Sequence, residues 1–122
     1  MREIKFRAWD KKEKYMKTTK QAVNTIVQKF ILDLPEKEDY ILMQYIGFKD
    51  KNGKEIYEGD IVRRLCDIFD DSERNAIVEW DYDTASFIFR DNSGKHWINF
   101  KSNIDSNIEV IGNIYENPEL LR

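Results

Sequence analysis

A chain of 122 residues with 41% hydrophobic and 35% charged side chains is the size of one domain, able to bury about two-thirds of its unfolded surface, and too well mixed to be disordered. No apolar run approaches the roughly 20 residues of a spanning helix, and no signal-like stretch follows Met1 to Lys5, so neither a membrane span nor export is expected. The net charge of −3 is unevenly placed: residues 1 to 54 hold 13 Lys/Arg against 8 Asp/Glu, and residues 55 to 122 hold 7 against 15. Such asymmetry suits either a basic arm for nucleic acid or complementary surfaces that dock one protomer on the next, unless the two halves simply mix in space.

Ile4, Phe6 and Ala8 alternate with Lys5, Arg7 and Trp9, which predicts an opening strand with one buried face. After a lysine-rich connection, Ala22, Val23, Ile26, Val27, Phe30, Ile31 and Leu34 recur at helical spacing and predict one inserted α-helix over about 18–34. Thr18 and Gln21 fit a capping box at its start, and Pro35 fits its exit.

From Tyr40 the pattern becomes short apolar runs between turn residues. Ile41 to Phe48 is apolar on both faces, as in a central strand. Asn52-Gly53 predicts a type I′ hairpin turn, and Gly59-Asp60 a second bend before a strand over Ile61 to Cys66. Ala76 to Trp80, Ala85 to Phe89, Trp97 to Phe100 and Ile108 to Ile114 follow, separated by Asp-, Asn- and Ser-rich turns. Asn117-Pro118 announces a short C-terminal helical turn, with Asn as its N-cap. The expected fold is a single, mainly β domain over 1–122, a small partly open barrel of SH3-like or OB-like kind.

Chemistry is sparse. His96 is the single histidine, and a general base needs a nucleophile or carboxylate beside it that the sequence does not supply, so a structural role is expected. Cys66, the lone cysteine, forms no internal disulfide and no zinc cluster, which fits the cytoplasm. Beside Arg63 and Arg64 it reads as a buried strand-end residue. Asp67, Asp70, Asp71 and Glu73 are the densest acids, but they lack the alternation and glycine of a calcium loop and read as a solvated connection. There is no phosphate-cradling or dinucleotide glycine loop. No catalytic residue, metal or cofactor is therefore assigned, and no enzyme is expected.

Nucleic acid is the one ligand class with candidate residues: Lys5, Arg7, Lys11, Lys12, Lys14, Lys17 and Lys20, interleaved with Trp9 and Tyr15, combine cations for phosphate with rings on which bases stack, with Lys5, Arg7, Trp9, Lys11, Lys12, Lys14 and Tyr15 as the candidate contacts. Against it stands a sequence pI of about 5.3, since dedicated binders carry a basic footprint over the whole domain.

Three stretches carry a resemblance. They are Ile4 to Asp10, Leu42 to Val62 with its core Gly47-Phe48-Lys49-Asp50-Lys51-Asn52-Gly53, and Ile108 to Leu120 with Val110-Ile111-Gly112-Asn113-Ile114-Tyr115-Glu116-Asn117-Pro118. Together they resemble the YopX family of phage and prophage proteins. The resemblance implies a β-rich fold, a phage or prophage origin, usually in Gram-positive hosts, and a homo-oligomer; it brings no catalytic residues, and with the cytoplasm expected above it places the protein in the bacterial host cell. The expected protein is a non-enzymatic, self-associating binding module, the alternative being a nucleic-acid-binding accessory of phage replication or regulation. Any further protein partner is left open.

Overall fold

The computed structural model describes residues 3–18, 20, 40–64, 74–94, 96–97 and 108–121. The chain divides into two compact units, residues 1–45 and 46–122. Its strands are β1 (Phe6–Asp10), β2 (Tyr15–Lys17), β3 (Tyr40–Lys49), β4 (Glu55–Tyr57), β5 (Asp60–Arg64), β6 (Arg74–Asp81), β7 (Ser86–Asp91), β8 (His96–Trp97) and β9 (Ile108–Asn113), followed by a 3-10 helix over Pro118–Leu121.

The mainly β expectation holds, but the strands ladder into two sheets, one ordered β2-β1-β3-β4 and the other β8-β7-β6-β5-β9. The helix expected over 18–34 lies, apart from Thr18 and Lys20, outside the described residues, and the sheets are built without it.

In the N-terminal unit β1 pairs antiparallel with β2 and with β3. Side chains alternate between the two faces of a strand, and the consecutive residues Ala8, Trp9 and Asp10 are all buried, so this end of β1 is covered on both faces. The one-faced alternation expected of residues 4 to 9 therefore fails: Trp9 is only 7% exposed while Ile4 is 58% exposed. The lysine-rich connection also hides β2, whose three residues are too few to show a period. Its register is fixed by the pairs Ala8–Lys17, Trp9–Met16 and Asp10–Tyr15.

In the C-terminal unit the main core cluster lies on one face of the five-stranded sheet, while Ile61 and Ile88, also fully buried, lie on the other. Val62, Ala76, Val78, Phe89, Ile108 and Val110 cluster there with Ile46 and Ile56. Their order follows from register: Val62 lies opposite Ala76 on one side and Val110 on the other, and Val78 opposite Phe89. Directly opposed residues share a face, so each ladder rung adds a side chain to the same cluster. Asn75 Nδ2 donates a 2.8 Å bond to the Leu120 carbonyl and ties β6 to the C-terminal helix. Among the described residues no helix is long and apolar enough to cross a membrane.

Candidate interaction surfaces

The acidic and amide side chains near the strand ends have a common occupation. Asp10, Asp81, Asp91 and Asn113 are each the last residue of a strand, and each accepts the backbone amide two residues on. The acceptors and donors are Asp10 Oδ1 and Lys12 at 3.0 Å, Asp81 Oδ1 and Asp83 at 3.3 Å, Asp91 Oδ1 and Ser93 at 2.9 Å, and Asn113 Oδ1 and Tyr115 at 3.0 Å. Such a bond satisfies an amide that the ladder leaves behind and fixes the chain's reversal.

Asp50 follows the same rule directly after β3. Its Oδ1 accepts from Asn52 and Lys54, at 2.8 and 2.9 Å, while its Oδ2 accepts from Val110 at 2.9 Å. The amide of Lys51 in turn bonds the Ile108 carbonyl. The turn thus covers the outer edge of β9, which would otherwise expose unpaired backbone groups. This geometry corrects the expected type I′ turn. Gly53 alone takes positive φ, +81°, and its amide bonds the Asp50 carbonyl, so Lys51 and Asn52 form the bend and Gly53 closes it.

The other polar groups of the shared stretches are similarly committed. Asp60 is buried and accepts the Tyr57 amide at 2.8 Å. Asn117 does not cap the helix with its side chain as expected: its Oδ1 turns back to the Asn113 amide at 3.3 Å, while its carbonyl receives the amide of Leu120. These residues shape backbone. Among the described residues no group of three His, Cys, Asp or Glu is placed to hold a metal ion. His96 lies opposite Arg90 on the two-residue β8; Cys66 and the acids at 67–73 lie outside the described residues.

The tentative nucleic-acid set divides. Lys5 pairs with Glu3 at 2.9 Å and lies 5.9 Å from the Tyr45 ring centroid; Arg7 is half-buried beside Met43; and the buried ring of Trp9 offers no face for a base. Lys11, Lys12 and Lys14, by contrast, are exposed on the β1–β2 turn, with Tyr15, 42% exposed, directly after them. Below this turn, on one face of the sheet, Tyr15, Asp10 and Tyr40 stand side by side across β2, β1 and β3. Lys17, which the sequence places among the cations for phosphate, instead reaches into that row. Its Nζ donates to Tyr40 Oη at 3.0 Å, lies 4.2 Å from the Tyr40 ring centroid and 3.8 Å from Asp10 Oδ2. The bond to Tyr40 holds the ammonium above its usual pKa, helped by the charges of Tyr40, Tyr15 and Asp10 and opposed by burial. A lysine kept protonated is a clamp, not a nucleophile.

The β6–β7 turn has the opposite character. Residues 80 to 85 read Trp-Asp-Tyr-Asp-Thr-Ala, two carboxylates with no Lys or Arg. Tyr82 at its tip is 89% exposed and Trp80 38%. Trp80 meets Phe87 edge to face, with centroids 5.0 Å apart, and Phe87 packs on the core. The turn is internally braced: Thr84 Oγ1 lies 2.7 Å from both Asp81 Oδ2 and Ser86 Oγ. No sequence period marks this tip, because its residues look like any polar turn until their exposure is known.

Among the described residues, fold and surfaces define a protein of two β-sheets in which Asp and Asn side chains close turns and two hairpin tips expose charge beside aromatic rings. The chain belongs to the YopX family, whose model, described as YopX protein, matches residues 5–122. It is similar to protein EF1440 from Enterococcus faecalis, whose crystal structure covers 100% of both chains at 25% identity with a TM-score of 0.69. No curated protein matches the chain.

Proposed function

We propose that this is a non-enzymatic accessory protein of a phage or prophage, working in the bacterial cytoplasm by binding, and that it self-associates. One observation carries the reading. The polar side chains a catalytic site would draw on, Asp10, Asp50, Asp60, Asp91 and Asn113, are occupied with backbone amides, while charge and aromatic surface are offered at the tips of two braced hairpins. Aromatic and charged side chains on a preorganised surface are what binding interfaces use. Size-exclusion chromatography with light scattering across the micromolar range tests it. The expected result is a mass above the monomer that falls as salt rises; a strict monomer throughout contradicts it.

The clustering of Lys11, Lys12, Lys14 and Tyr15 on one exposed turn supports a second reading, a nucleic-acid-binding accessory of phage replication or regulation. Its test is fluorescence anisotropy with single- and double-stranded oligonucleotides at two salt concentrations, since cation–phosphate binding weakens steeply with salt. No binding at low ionic strength removes it.

A further inference from the structure

Resting on the self-associating reading, we infer that the contact is heterologous: the basic β1–β2 tip of one copy docks on the acidic, aromatic β6–β7 tip of the next. The first tip presents Lys11, Lys12 and Lys14 against a single Glu13, and the second presents Asp81 and Asp83 around Tyr82 with no cation between residues 80 and 85. Opposite fields steer encounter and fix orientation, and like tips repel, so each tip selects the other and disfavours itself. An ammonium over the open face of Tyr82 adds a cation–π attraction that a carboxylate partner would not gain.

Both tips are prepared for this. Asp10 Oδ1 holds the amides of Lys12 and Glu13, at 3.0 and 2.9 Å, and Asp81 holds the Asp83 amide and the Thr84 hydroxyl. A turn already ordered in the free protein loses little conformational freedom when it binds. The 89% exposure of Tyr82 leaves its whole ring to be covered, whereas an aromatic serving its own core would be buried. A nucleic acid is the less fitting occupant, because it would meet only the basic tip and leave the acidic one unexplained. Hairpin tips are small, so the contact belongs with weak interfaces and needs protein at tens of micromolar or more to be populated. A heterologous contact links copies in a ring or an open chain, not in an isologous pair.

The experiment is a matched charge reversal on the full chain, read by sedimentation velocity. Lys11→Glu with Lys12→Glu changes one tip and Asp83→Arg the other; all three side chains are exposed, and unchanged thermal midpoints verify folding. Each variant alone should associate about tenfold more weakly than the parent, and an equal mixture of the two should regain most of the loss. Tyr82→Ala should weaken association without altering its salt dependence. If the parent associates and the reversals change nothing, or the mixture regains nothing, the tip-to-tip contact is overturned while self-association stands. If the parent is monomeric, self-association and this contact fail together.

Discussion

The carboxylate of Asp50 accepts a hydrogen bond of 2.9 Å from the amide of Val110, a residue sixty positions further along the chain. Through that bond and two others the turn after β3 becomes the cover of the β9 edge. Three backbone amides depend on one buried side chain, and the stretches that carry the family resemblance, Leu42 to Val62 and Ile108 to Leu120, meet there.

Asp50→Ala removes the acceptor for all three amides and is expected to destabilise the protein by about 3 kcal/mol, the range for leaving buried donors unsatisfied. Asp50→Asn keeps one acceptor oxygen but sets an amide NH2 against the remaining donors, so it recovers only part of the loss. Urea unfolding midpoints of the three proteins check the order: wild type, then Asn, then Ala.

Gly112 carries a steric constraint. A Cβ built there would lie 2.5 Å from Asn117 Oδ1 and 3.0 Å from Asn117 Cβ, the side chain that closes the turn after β9. Gly112→Ala is expected to cost about 1–3 kcal/mol, as overpacking does. Gly112→Ala combined with Asn117→Gly should cost less than the sum of the two single changes, measured as a double-mutant cycle.

How much of this was legible follows from residue type and segment length. Val62, Ala76, Val78 and Val110 announce themselves because strand periodicity persists over several residues, and β5, β6, β7 and β9 fall where it predicts. β2 is three residues between lysines and has no period to read. Trp9 defeats the alternation rule because the end of β1 is covered on both faces, and what covers the second face is set by the tertiary fold and leaves no period in the segment itself. The turn logic was present but unread: an Asp or Asn at the last apolar-patterned position of Phe6–Asp10, Arg74–Asp81, Ser86–Asp91 and Ile108–Asn113 is a side-chain cap waiting for the amide two residues on. The basic tip was legible as a run of lysines beside Tyr15 and the acidic one as a polar turn, but their exposure and bracing come from the fold.

Lys17 makes one hairpin sensitive to alkali. Its pKa is raised above the ordinary 10.5, first by the bond to Tyr40, so the folded state binds the proton more tightly than the unfolded one. The resulting stability is fully present below about pH 10.5 and is lost as pH rises through the raised value. Lys17→Met is expected to lower stability at neutral pH and to flatten the alkaline fall, followed by thermal unfolding from pH 7 to 11.

Ala85 closes the β6–β7 turn in the left-handed region, φ 52°, where a side chain costs roughly 1–2 kcal/mol. Ala85→Gly relieves that cost but loosens the unfolded chain, leaving a net gain of up to about 1 kcal/mol. A rise in the thermal midpoint is the expected result, and a fall would show that the turn bears no strain to relieve.

The measurement that bears most directly on binding by self-association is the solution mass of the unaltered protein, by light scattering from about ten to several hundred micromolar at low and high salt. Mass that climbs with concentration, and does so less at high salt, is the predicted result. A monomer mass that holds constant across the whole range at both ionic strengths would contradict it.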